Sequence, residues 1–172
     1  IKNILGVEVY SENGDSIESV IVSLAKEKNK TIAIAESCTG GLIGHHLTDV
    51  SGSSDIFRGS LVVYSNQSKI DLLDVDKALL ERYGSVSTQT AESMAENVMK
   101  KFSTNIGISV TGIAGPTGGT EDKPVGLVYI GLAHESGVKV KEIRYGNDRK
   151  RNKLRTSQAA LNLLRLFLLK IR

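Results

Sequence analysis

Residues 35–41 read AESCTGG, so Glu36, Ser37, Cys38 and Thr39 set a carboxylate, a hydroxyl, a thiol and a second hydroxyl ahead of Gly40 and Gly41. Such a run supports two kinds of chemistry. Ser37 or Thr39 would cap a helix while the glycines allow close strand–helix packing. Alternatively Ser37 is a nucleophile, and the amides of Thr39, Gly40 and Gly41 receive the negative charge of an attacked carbonyl. A serine nucleophile needs a group to take its proton. His45 and His46 lie beyond the first helical turn and His134 closes a distant strand, so no histidine is well placed. A lysine whose pKa is lowered by burial can serve instead. Lys69 in YSNQSK is that candidate, and Tyr64 and Asn66 beside it could orient a polar substrate group. Cys38 is the alternative nucleophile, but no histidine stands near to ionise it, and Ser37 is preferred. For Glu36 three roles stay open: orienting Lys69, bonding a substrate amide or hydroxyl, or capping backbone donors.

A second glycine-rich stretch, TGIAGPTGG at 111–119, follows another apolar run, NIGISV. Neither stretch matches a dinucleotide-binding GxGxxG or a Walker A motif, which needs a lysine absent here. Gly115, Gly118 and Gly119 could supply amides to a phosphate, and Arg149 or Arg151 a charge, with Lys123 a weaker candidate. The same residues could equally do no more than turn the chain, with Pro116 fixing it.

The elements that must carry these residues follow from periodicity. DSIESVIVSLAKEK has apolar residues at helical spacing, with Asp15 at the expected N-cap and Glu18 three residues on. TIAIA, SLVVY and NIGISVTG read as strands, and VGLVYIGLA and VKVKEIRYG as a hairpin across ESG. Helices are predicted for GGLIGHHLTDV, SNQSKIDLL (capped by Ser65 or Asn66), DKALLERYG (ended by Gly84), residues 88–102 and about 148–169. The succession predicts an α/β fold in which helices cover both faces of one mixed sheet. No linker or repeat divides the chain, so one domain over 1–172 is expected, with its core at about 15–170. In such sheets ligands sit beyond the carboxyl ends of the strands, where both glycine-rich stretches fall.

Composition removes several function classes. With 40% hydrophobic and 24% charged residues the chain has the make-up of a soluble globular protein. It contains no apolar run long enough to span a bilayer and no signal peptide at its start, although it begins at Ile1 and not Met. One cysteine rules out an intrachain disulfide and a cysteine-based metal cluster, and three scattered histidines argue against a metal site; no metal or cofactor is expected. This usage fits a reducing cytoplasm. Residues 141–172 hold ten Lys or Arg against Glu142 and Asp148, and the remainder is net acidic. A basic helix face explains that charge better than nucleic-acid binding, since 5% aromatics without Trp leave little to stack on bases. Association into a homo-oligomer is compatible with the sequence, which does not specify a subunit number.

The motifs AESCTGG, DVSGSSDIFRGSLVVYSNQSK, YGSVS and SVTGIAGPTGGTEDKPVGLVYIGLA, in this order, resemble the CinA C-terminal domain family, which includes nicotinamide-nucleotide amidases. The resemblance covers roughly residues 15–170. It implies a three-layer α/β/α sandwich that hydrolyses the carboxamide of nicotinamide mononucleotide, releasing ammonia and nicotinate mononucleotide, by a metal-free Ser/Lys dyad. By motif, the resemblance assigns the dyad to Ser37 and Lys69 and puts Thr111 and Gly112 at the pocket. Arg149 is the nearest match to the arginine of a GDR segment, which here reads GNDRKR and is one residue longer. It also leaves an alternative, a non-catalytic binding module connected with competence or DNA damage.

Overall fold

The computed structural model describes Gly6 and residues 9–170. Helix α1 (Ile17–Glu27) is followed by strand β1 (Ile32–Glu36), helix α2 (Leu42–Thr48), strand β2 (Phe57–Val62) and helices α3 (Asn66–Leu73), α4 (Lys77–Tyr83) and α5 (Thr88–Lys101). Strands β3 (Ile106–Gly112), β4 (Leu127–His134) and β5 (Gly137–Arg144) and helix α6 (Arg149–Lys170) complete the chain. The five strands form one mixed sheet in the order β2-β1-β3-β4-β5. β1 runs parallel to β2 and β3, whereas β3–β4 and β4–β5 are antiparallel.

The expected α/β/α layering is present, and the alternation of side chains along the strands explains it. On one face Ile32, Ile34, Ile106, Ile108 and Val110 meet Ile21 and Val22 of α1, Ile43 and Leu47 of α2 and Leu161 and Leu164 of α6. On the other, Ala33 and Ala35 meet Leu73, Leu80, Met94 and Val98 of α3, α4 and α5. This second face is built from small residues, so α5 lies almost on the strands. A Cβ on Gly107 would collide with the Ala95 carbonyl oxygen, and one on Gly131 would come within 2.6 Å of the Ala91 oxygen. Ser109 shares that face and donates its hydroxyl to the Ala91 carbonyl at 2.6 Å.

Local corrections have local causes. Ser16, not Asp15, caps α1: its extended backbone lets its side chain accept the Ser19 amide, while the Asp15 carboxylate accepts the Ser11 hydroxyl at 2.8 Å. β2 begins at Phe57, which pairs with Ile32, and ends at Val62, so Tyr64 stands beyond the strand and not within it. α2 is shorter than its motif because Gly40 and Gly41 take φ values of +64° and +94°, outside a right-handed helix. Ser65 caps α3 in a reciprocal pair with Ser68, and Gly84 ends α4.

The register brings three strand ends together. Glu36 pairs with Val110 on one side and Val62 on the other, so the chain leaves β1, β2 and β3 side by side at one edge. Two bonds extend this edge, from the Ser37 amide to the Val110 carbonyl (3.0 Å) and from the Val63 amide to the Glu36 carbonyl (2.8 Å). Overpacking a close contact of the Gly107 kind costs about 1–3 kcal/mol. Gly107→Ala is therefore expected to lower stability by that amount in urea unfolding, and unchanged stability would contradict the α5 contact described here.

Candidate active site

The turn after β1 is ordered from within. The Ser37 carbonyl accepts the Gly40 amide at 3.1 Å, closing a four-residue turn. Glu36, with no solvent exposure, accepts the amides of Gly41 (3.0 Å), Ile43 (3.1 Å) and Gly44 (2.8 Å) and the hydroxyl of Ser60 (3.2 Å). A carboxylate there satisfies the otherwise unpaired donors of α2 and lies against its positive end. Of the three roles open to Glu36, the geometry shows backbone capping. The amides of Gly40 and Gly41, expected to face an oxyanion, are thus occupied within the chain. That of Thr39 has no bond to the described residues, and neither does its buried hydroxyl.

Lys69 reaches the same turn from α3. Only 1% exposed, it directs its ammonium to Ser37 Oγ at 3.1 Å and to the Val63 carbonyl at 2.8 Å. No carboxylate among the described residues forms an ion pair with it. Burial therefore lowers its pKa from 10.5 to about 8, opposed only by the neighbouring Cys38. Burial acts in the opposite sense on the Cys38 thiol, pushing it up to about 12. The thiol stays protonated and unreactive at neutral pH, while the amine can shed its proton beside the Ser37 hydroxyl.

These two groups stand at the base of a cleft of about 290 Å³ whose walls include Tyr64, Thr111, Gly112, Gly115 and Arg149. Ligand pockets usually start near about 300 Å³, so a small, closely fitted molecule suits it. Thr111 is fixed by donating its hydroxyl to the Ser85 carbonyl at 2.6 Å. At Gly112 a Cβ would stand 2.7 Å from both the Leu127 oxygen and a Val128 methyl, so β4 leaves no room for a side chain. Arg149 spans the mouth, donating to the Gly115 carbonyl at 3.0 Å and the Tyr64 hydroxyl at 2.8 Å. Both acceptors are neutral, so the guanidinium charge is uncompensated.

A family model for the CinA C-terminal domain matches residues 14–168. The chain belongs to the CinA C-terminal domain family. A CinA-like protein of Dictyoglomus thermophilum is 51% identical over 99% of the chain, which corresponds to 42% of that protein's length. The chain thus spans about two fifths of such curated relatives. A crystal structure of the competence/damage inducible protein CihA from Agrobacterium tumefaciens superposes with a TM-score of 0.86 at 36% identity, covering 94% of this chain and 99% of that one. A CinA-superfamily protein from Klebsiella pneumoniae shares the fold, with a TM-score of 0.86 at 21% identity over 90% of this chain and 97% of that one.

Within this CinA domain some expected residues fall elsewhere. Asn66 is exposed on the first turn of α3 and does not line the cleft. Lys123 donates to the Tyr83 carbonyl at 2.6 Å, tying the glycine-rich loop to the end of α4. Arg151 pairs with Asp148 at 3.4 Å. Sequence reasoning missed Asn152, which is 2% exposed and donates to the carbonyls of Ala114 (3.0 Å) and Gly146 (2.7 Å), holding the cleft wall to α6. Its only signal was its position one helical turn after Arg149. A larger opening of about 390 Å³ involves Lys30, Asn105, His134 and Phe167, at the other end of the sheet, where His134 accepts the Ser136 amide and the Thr104 hydroxyl is bonded to backbone carbonyls. Among the described residues no group of His, Cys, Asp or Glu could hold a metal, and no helix is long and apolar enough to cross a membrane.

The lysine leaves a mark on stability. Its folded pKa of about 8 lies below the ordinary lysine value of 10.5, so between these pH values the unfolded chain binds more protons than the folded one. Stability therefore rises with pH across that window, and the full cost of the buried ammonium is borne below it. Chemical unfolding of the parent and Lys69→Met should show a stability gap that narrows from pH 8 to pH 10.5. A gap independent of pH would place the Lys69 pKa at its ordinary value.

Proposed function

We propose that this CinA domain is an amidase that converts nicotinamide mononucleotide to nicotinate mononucleotide and ammonia. The observation that carries the reading is Lys69 Nζ, buried with no carboxylate partner among the described residues, 3.1 Å from Ser37 Oγ. Ser37 Oγ attacks the carboxamide carbon and passes its proton to neutral Lys69. The carbonyl oxygen becomes an oxyanion, assigned to the amide of Thr39, the one of the three turn amides without a bond to the described residues. The carbon–nitrogen bond breaks as Lys69 returns the proton to the leaving nitrogen, giving ammonia and an ester on Ser37. Water then attacks the ester carbon, Lys69 takes its proton, and Ser37 Oγ leaves with that proton. No step requires a metal. Tyr64, Thr111, Gly112 and Gly115 would enclose the substrate, and Arg149 at the mouth would meet its phosphate by exchanging neutral partners for a charged one.

Ammonia release from nicotinamide mononucleotide tests this directly. Ser37→Ala and Lys69→Ala should each lower kcat/KM by about 10³-fold or more, since the pair acts as a unit. With Lys69 as the base, kcat/KM of the parent should rise with pH and level off above about 8. Full activity of Ser37→Ala, or a flat profile through that range, would contradict the mechanism. A folded parent without turnover would instead favour the rival binding module.

A further inference from the structure

Helix α6 opens with RKRNKLR, five cations in seven residues, and has no acidic residue in its first turn. This is the positive end of the helix dipole, where added cations are unfavourable. Among the described residues only Arg151 of the five has a carboxylate within ion-pair distance, Asp148. The charge therefore works against the helix that bears it. Two of the unpaired cations, Arg149 and Lys153, are four residues apart and share a helix face. Arg149 spans the cleft mouth. Lys153, partly buried, brings its ammonium to 3.5 Å from where a Cβ on Gly40 would stand, and among the described residues no hydrogen bond or ion pair engages it. Its charge is felt at Cys38, the residue after the nucleophile. Beside Lys153 the glycine at position 40 presents only backbone, Val62 stands exposed next to Gly41, and the exposed Tyr64 is held by Arg149.

We infer that Lys153 is a specificity-determining residue, forming with Arg149 a two-cation subsite outside the cleft that selects amides bearing a phosphomonoester over their uncharged nucleosides. This rests on the amidase reading. The reacting carboxamide enters toward Ser37 while the doubly charged phosphate stays at the rim, between the first turn of α6 and the turn at Gly40. A glycine at position 40 leaves that approach open, whereas a side chain would meet the Lys153 ammonium.

The test compares kcat/KM for nicotinamide mononucleotide and nicotinamide riboside in the parent, Lys153→Met and Lys153→Arg. Methionine keeps an apolar stem, and removing a cation from the positive helix end should leave the melting temperature unchanged or higher. In Lys153→Met the preference for the mononucleotide over the riboside should fall about 10-fold or more, as expected for loss of a charge-assisted contact, and Lys153→Arg should restore most of it. An unchanged preference overturns the inference, including the case in which both substrates slow equally. Should the folded parent turn over neither compound, the amidase reading fails separately. The subsite is then decided by calorimetric binding of the same two compounds: a preference for the mononucleotide that depends on Lys153 supports it, and equal binding overturns it.

Discussion

A carboxylate without solvent needs donors on its oxygens, and in this domain the choice of donors by Glu36 governs the site. It takes three backbone amides of the α2 turn and the Ser60 hydroxyl. Two consequences follow. The turn that presents Ser37 is held from beneath, through the backbone of residues 41–44. In addition, the buried Lys69 is denied a counterion. A carboxylate paired with that ammonium would hold the proton on it; Glu36 is bonded elsewhere, so desolvation dominates and the pKa falls to about 8. The lowered pKa of Lys69 thus depends on a carboxylate that does not touch it.

The sheet supplies the convergence. Ser37 leaves β1, Tyr64 follows β2 and Thr111 is the penultimate residue of β3, three adjacent parallel strands whose carboxyl ends share one edge. Lys69 reaches that edge because α3 starts just after β2 and packs on the face built from Ala33 and Ala35. The small residues of that face let α5 sit close, and the bulkier face receives α1, α2 and α6. Helix α6 then contributes at both levels, through Asn152 on the loop backbone and Arg149 at the mouth. Its basic character, which in sequence read as a solvated helix face, lies partly over the cleft.

Much of this was readable beforehand, for physical reasons. The strands have short β-branched or apolar runs and the helices clear 3.6-residue periodicity, so the layers and the mixed sheet could be anticipated. The motifs placed the chain in its family; excluding histidine left Lys69 as a candidate base for Ser37, and only the resemblance paired the two. Three-dimensional competition could not be read. Asp15 and Ser16 are both competent caps, and the backbone conformation at Ser16 decided between them. The sequence predicts free amides at Gly40 and Gly41, but a carboxylate five residues before Gly41 reaches forward to claim one and the turn itself the other. Arg149 reaches the cleft mouth in spite of the additional residue before it, because α6 begins there. Lys153 gave no signal of its own, since its proximity to Gly40 arises only from the packing of α6 beside α2.

Burial beside Ser37, with no carboxylate partner among the described residues, is what would make Lys69 a base near neutral pH. The most direct test is to follow the Lys69 side chain by NMR in protein labelled at lysine, titrated through alkaline pH, with Lys69→Arg to assign the signal. A midpoint near 8, well below that of the surface lysines, is the predicted result. A midpoint near 10.5 would show that the ammonium keeps its proton, and Ser37 would then have no base at this site.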